Sequence, residues 1–309
     1  MQPLNLVPGM RQSSSSDRLT VRNILLATDF SECSTRAVAY ALGIARRYES
    51  PVYLFHCIDP TPYNLLEPTA VQTTYDDARR ELEQLASGLS RRDGAKNVDI
   101  KVVVEIGDFA EILGQAVKGL DLGLIVVGTH GRTGWRKAVL GSIAETVVDQ
   151  ASCPVLTVGP SADRTRIQEF GPENILLVNG SPVSSSLAES YATSLATKYG
   201  SRLTVVDVLE NRCGRVLAKL SQPEGYQPDR RDPILERAST KVEQLPIEVG
   251  TETDLILQVA DQSAADLIVL AVSATHRFTD RFRSTSSYRV LCSASCPVLS
   301  VRAQSGRDQ

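Results

Sequence analysis

Nowhere does this chain hold an apolar run approaching the ~18 to 20 residues needed to cross a bilayer, so no membrane-spanning helix is expected. Paired cysteines of the CxxC kind are missing as well. The six cysteines, at positions 33, 57, 153, 213, 292 and 296, lie apart and mostly within apolar segments. That distribution argues against a zinc site or a disulfide framework, and for free buried thiols in a reducing cytoplasm. An excess of one charge is missing too. The 33 Lys and Arg nearly balance 36 Asp and Glu, leaving −3, so no global field marks the chain for nucleic acid. The start, MQPLNLVPGMRQSSSSDRLT, lacks the apolar core of a secretion signal. Ser-rich and broken by Pro and Gly, residues 1–20 read as a flexible tail. What is left is 42% apolar and 22% charged, over 309 residues. Those values suit a soluble globular protein of about two domains.

The chain repeats itself. NILLATD at Asn23 returns as NILLVNG at Asn174, and ASCPVLTV at Ala151 returns as ASCPVLSV at Ala294. Gly107 and Gly250, Leu124 and Leu267, and Cys153 and Cys296 are each separated by 143 positions, whereas the front of the repeat is offset by 151. The second copy is therefore shorter by eight residues between its second and third strands. Within the first copy, strand-like runs (NILLA, PVYLFHCI, NVDIKVVVE, LGLIVVG, CPVLTV) alternate with helical stripes such as SECSTRAVAYALGIARRY. Asp108 and Glu111 form a helix-starting box ahead of FAEILGQAVKG. The second copy is expected to repeat this order, with Asp232-Pro233 starting a helix over ILERASTKVEQL. Alternating apolar strands and helices specify an α/β fold, two doubly wound five-stranded parallel sheets. Ligands in such folds sit beyond the carboxyl ends of the strands, where the strand order switches direction.

One such end carries the densest glycine pattern in the chain, GTHGRTGWRKAVLGS from Gly128 to Ser142. Gly128 follows an apolar strand, where a missing Cβ permits close approach of ligand to backbone. Gly131 lets N–H groups turn inward as an anion nest. Gly141-Ser142 opens the next helix, whose free N–H groups and dipole suit a phosphate. No GK[ST] follows, so this is not a Walker A loop, and it is not a GxGxxG fingerprint. The alternative is an ordinary glycine-rich surface turn.

The spacing G-x2-G-x9-G-S resembles the ATP-binding signature of the universal stress protein family, as do NILLATDFSE, FHCID, GLIVVGTHGRTG and SCPVLTV. The resemblance implies a tandem of two such domains, 21–159 and 173–302, with a linker at 160–172 and a tail at 303–309. The fold would be adenine nucleotide alpha hydrolase-like. It implies ATP, carried with Mg2+, as the ligand of the first domain. Thr28 and Asp29 would lie at the nucleoside, and Cys57, beside His56, at the adenine. Gly128, Gly131, Gly141 and Ser142 would hold the phosphates, flanked by the backbone of Val127 and Ile143. His130 and Arg132, with Arg136 and Lys137, would add positive charge. An N-cap role for Asp29 is compatible with this. Gly123 departs from the family pattern, which is acidic there, as Asp266 is in the second copy.

In that second copy Gly128, Gly131, Gly141, Ser142 and Asp29 become Ala271, Ala274, Ser284, Thr285 and Gly180, so its site is expected to be degenerate. The basic run His276, Arg277, Arg281, Arg283 and Arg289 reads first as a solvated surface, with a site for another anion as the alternative. The family also implies that the two domains pair antiparallel through VLTV and VLSV, a pseudo-dimer within one chain, with a further homodimer open. The function implied is a cytoplasmic ATP-binding regulator of the stress response. A weak ATPase or phosphoryl or nucleotidyl transferase at the same site, and a scaffold that binds no nucleotide, remain alternatives. No paired carboxylates or His–carboxylate set falls at the loop to favour catalysis.

Overall fold

The structure, a computed structural model, describes residues 21–59, 68–91, 98–130, 139–162, 171–179, 182–210, 216–221, 244–245, 251–272 and 285–302. The first half runs β1 (Ile24–Ala27), α1 (Glu32–Tyr48), β2 (Val52–Ile58), α2 (Pro68–Ser90), β3 (Ile100–Ile106), α3 (Phe109–Gly119), β4 (Leu124–Gly128), α4 (Ser142–Gln150) and β5 (Val155–Val158). The second half runs β6 (Asn174–Asn179), α5 (Pro182–Tyr199), β7 (Arg202–Glu210), β8 (Val216–Ser221), β9 (Gln244–Leu245), α6 (Glu252–Gln262), β10 (Leu267–Val272), α7 (Ser286–Ser293) and β11 (Val298–Arg302). All four residues of β1 and the first four of β4 are buried, as expected of strands covered on both faces. Helix starts follow side-chain chemistry. The Asp108 carboxylate accepts the Glu111 N–H at α3, and Thr251 and Asp254 form a reciprocal capping box at α6.

The strands of the described residues join one 11-stranded sheet in the order β3-β2-β1-β4-β5-β11-β10-β6-β7-β8-β9. The first half is parallel throughout. The second half mirrors it with one addition. By the 143-residue offset, β9 is the counterpart of Lys101 and Val102 in β3, and β8 is inserted beside it. Because β8 is antiparallel to both β7 and β9, β9 keeps the direction of the parallel set. The expectation that the second copy repeats the first element for element is corrected here. VLAKLS forms an extra strand, and Gln244–Leu245, the end of the expected helix ILERASTKVEQL, are strand. Asp232, Pro233 and residues 234–243 lie outside the described residues.

Alternate strand residues face opposite layers. Ile24 and Leu26 join a core with α1, α2 and α5, while Leu25 and Ala27 join one with α3, α4, α6 and α7. Both layers run unbroken across the junction of the halves. There β5 and β11 pair antiparallel, Leu156 opposite Leu299. Those two leucines are separated by the repeat offset, so a pseudo-twofold axis passes between them. Side chains obey it. The Thr157 hydroxyl donates to the Val298 carbonyl, and that of Ser300 to the Val155 carbonyl, both at 3.2 Å. On one face of the sheet, Arg47 lies over the Tyr199 ring and Lys198 over the Tyr48 ring, at 5.6 and 5.4 Å. This pairing removes two edge strands that would otherwise be exposed. Among the described residues no helix is long and apolar enough to cross a membrane.

Candidate functional site

In the first half the strand order switches between β1 and β4, and a cleft of about 520 Å³ opens at their carboxyl ends. Nine of the eleven residues singled out from the sequence line it: Thr28, Asp29, Cys57, Val127, Gly128, His130, Gly141, Ser142 and Ile143. Gly131 and Arg132 lie outside the described residues, as do Arg136 and Lys137. Sequence reasoning missed Ser34 and the apolar walls Phe55, Phe109 and Leu140. Phe55 and Phe109 meet edge to face, centroids 6.2 Å apart. Their spacing in sequence gives no sign of that contact. Ser34 was legible as the third helical residue after a capping serine.

The β1 end is held by hydroxyls. Thr28 Oγ1 donates to Ser34 Oγ at 3.0 Å and accepts the Phe30 N–H at 3.1 Å. The cap of α1 is Ser31, whose hydroxyl accepts the Ser34 N–H. The Asp29 carboxylate instead accepts the Ser31 N–H at 3.0 Å. The N-cap role weighed for Asp29 thus belongs to Ser31, two residues on, and Asp29 braces the turn before the helix while lining the cleft. Phe30 sits at φ 61°, a left-handed conformation costly for a bulky residue, and its ring rests 4.8 Å from His56. His56 Nδ1 donates to the Thr28 carbonyl at 2.8 Å. Cys57, on the opposite wall, is pushed up to about 11, first by burial and then by Asp108, Glu105 and Asp59. It is a neutral thiol there, an apolar surface rather than a nucleophile.

At Gly128 the fold itself demands glycine. A Cβ there would stand 2.8 Å from the backbone of both Cys33 and Ser34. The start of α1 is what approaches closely here, while Gly128 also lines the cleft. His130 is buried at 8% exposure, not solvated, and its Nδ1 lies 2.8 Å from Thr129 Oγ1. The chain returns at Gly141, whose N–H donates to the Thr129 carbonyl at 2.8 Å and ties the ends of the glycine segment together. Gly141 is the N-cap of α4 in extended backbone, with no side-chain cap bond. Among the described residues the first N–H groups of α4, whose residues line the cleft, therefore have no side-chain cap, the arrangement that attracts anions.

The model of the universal stress protein family matches residues 20–159 and 172–302, most of the chain in two copies. The chain belongs to the universal stress protein family. A universal stress protein of Methanocaldococcus jannaschii is 30% identical over 145 residues, 44% of this chain and 81% of that protein. A solved universal stress protein of Archaeoglobus fulgidus superposes with a TM-score of 0.69 at 18% identity, covering 93% of this chain and 98% of its own. A Pseudomonas aeruginosa protein of unknown function gives 0.58 at 18% identity, over 92% and 94% of the two chains. At these identities the two structures speak for the fold.

The second universal stress protein repeat treats the matching helix start differently. Thr285 caps α7, its hydroxyl accepting the Tyr288 N–H at 3.3 Å. The Ser286 hydroxyl donates to the Glu252 carboxylate at 2.5 Å, so a negative group of the chain itself stands by this helix N-terminus. Ala271 replaces Gly128. Ala274, Ser284 and Gly180 lie outside the described residues. The family departure at Gly123 concerns strand entrance only. The buried Asp266 carboxylate accepts the N–H groups of Glu173 and Asn174 at 3.1 and 2.8 Å, bonds a glycine cannot make, while the backbone bond is common to both copies, Gly123 N–H to the Asn23 carbonyl and Asp266 N–H to the Asn174 carbonyl.

Proposed function

We propose that this universal stress protein is a cytoplasmic regulator that binds ATP in residues 21–159 and not in residues 173–302. The observation that carries the reading is the uncapped start of α4 facing the same cleft as the Asp29 carboxylate. The cleft's volume lies within the ~300–1,000 Å³ usual for small-molecule sites. Its two ends suit the two ends of a nucleotide. Asp29 accepts hydrogen bonds from ribose hydroxyls, and Cys57 offers apolar surface to the base. The N–H groups of Ser142 and Ile143 and the Ser142 hydroxyl meet the phosphates, with Gly131 and Arg132 contributing from outside the described residues. Among the described residues no group of three His, Cys, Asp or Glu forms a metal site. Mg2+ would therefore come with the phosphates, with Asp29 the carboxylate in reach. The contrast with α7 supports one site per chain, because the Thr285 hydroxyl already caps that helix and the Glu252 carboxylate, bound to the Ser286 hydroxyl, puts negative charge where a phosphate would lie.

The mechanism is binding. Nucleotide fixes the segment between β4 and α4 and with it the surface that partners meet. Isothermal titration of the full chain should give one ATP per chain. Two per chain would refute the single site, and no binding, with no nucleotide released on denaturation, would leave a scaffold. Steady ATP turnover lost in Ser142→Ala would make the protein an enzyme instead.

A further inference from the structure

One side chain of the second half reaches the first half's glycine segment. Tyr288, in the first turn of α7, is buried at 4% exposure. Its hydroxyl accepts the Leu140 N–H at 3.1 Å and donates to Glu145 Oε1 at 2.9 Å. Leu140 is buried and directly precedes Gly141, the N-cap of α4, and Glu145 lies in that helix's first turn. The return of the glycine segment is thus pinned twice: by Gly141 to Thr129 within its own half, and by Leu140 to Tyr288 across the pseudo-twofold axis. Burial pushes the Tyr288 hydroxyl up to about 12, so it keeps its proton and both bonds hold at neutral pH.

The repeat offset sharpens the point. Tyr288 is the second half's counterpart of Glu145, so the two equivalent positions meet each other at the axis. Two identical halves would set carboxylate against carboxylate, or phenol against phenol. Paired carboxylates would repel and hold no proton to donate, and paired phenols would lack the charged acceptor that Glu145 supplies. The difference between the copies is what makes the clamp.

We infer that Tyr288 is a positioning residue for the phosphates of ATP, a role that presupposes ATP in the first half's cleft. It fixes the approach to α4 from the other half, so the half without a site sets the affinity of the half with one. The nucleoside end, built on β1 and β2, is outside its reach. Coupling of this kind is reciprocal, and ATP must in turn hold Tyr288 in place.

The test titrates ATP and adenosine into the full-length wild type and Tyr288→Phe, which keeps the ring and loses both bonds. ATP should bind about fivefold to tenfold more weakly to the variant, on the scale of one hydrogen bond, with adenosine unchanged. Equal weakening of both ligands, or of neither, overturns the inference. Wild type that binds no ATP overturns the nucleotide reading itself, which separates the two failures. Hydrogen exchange on the wild type needs no variant. ATP should slow exchange at Leu140 and in the peptide spanning 286–293, and unchanged exchange there with ATP bound overturns the clamp.

Discussion

A methyl group on residue 128 would meet the backbone of Cys33 and Ser34 at 2.8 Å, closer than real Cβ contacts come, and backbone cannot swing aside as a flexible side chain does. Gly128→Ala should therefore destabilise the protein by about 1–3 kcal/mol, the usual cost of overpacking, read as a lower urea midpoint. ATP affinity should fall with it, since α1 carries the Ser31–Ser34 hydroxyls that brace the Thr28-Asp29 turn. The sequence made residue 128 legible as a tight place but not what crowds it. A glycine at a strand end announces close approach, and the approaching body, here a helix in the same half, emerges only in three dimensions. Cys57 carries a second prediction. Its thiol, held up to about 11, is almost wholly protonated at pH 7.5. Alkylation by iodoacetamide should be far slower than for a free thiol and should rise about tenfold per pH unit toward pH 10. ATP should slow it further, measured by mass of the Cys57 peptide.

At the scale of elements, two corresponding helices start one residue apart in the repeat register and with opposite chemistry. At α4 the N-cap is a glycine without a side-chain bond, and at α7 it is Thr285, with Glu252 nearby. Gly141→Asp transfers the second arrangement to the first. The new carboxylate caps α4 and interacts well with its dipole, so stability should hold or rise by a few tenths of a kcal/mol. The same charge repels the phosphates, so ATP affinity should drop at least tenfold while adenosine binding is kept. A merely damaged fold would instead lose both ligands and lower the thermal midpoint. Elements whose burial pattern is strong were readable in advance. β1, β4, α1 and α3 lie where apolar runs and capping residues put them. β8 escaped because VLAKLS occupies the interval that holds a helix in the first copy, and six residues of mixed pattern do not outweigh the precedent of a repeat. The Phe55–Phe109 wall escaped for another reason: it joins a strand and a helix that only sheet order brings together.

For the whole molecule, the pairing of Leu156 with Leu299 is the fact no strand sequence contains. VLTV and VLSV announce buried strands, but not that each is the other's neighbour; only the family resemblance suggested it. The junction buries groups that lose protons in alkali. Tyr48 is held up to about 12, mainly by burial, and Tyr199 is driven up further. In and against the cores, Cys292 is held up to about 11 and Cys153 and Cys296 to about 12, again first by burial. In the unfolded chain these thiols release protons near 9 and the phenols near 10. Between those values and the folded ones the native state binds more protons, so its stability must fall as pH rises. The contribution is complete below about pH 9 and drains away as pH climbs toward 11 and 12. Urea midpoints under reducing conditions should be level from pH 7.5 to 8.5 and decline at 9.5 and 10.5. A midpoint level to 10.5 would mean that these groups are solvated and the junction open. Tyr48→Phe removes one titrating group from the axis, so the decline in that variant should be shallower than in the wild type, even if its midpoint at pH 7.5 is unchanged.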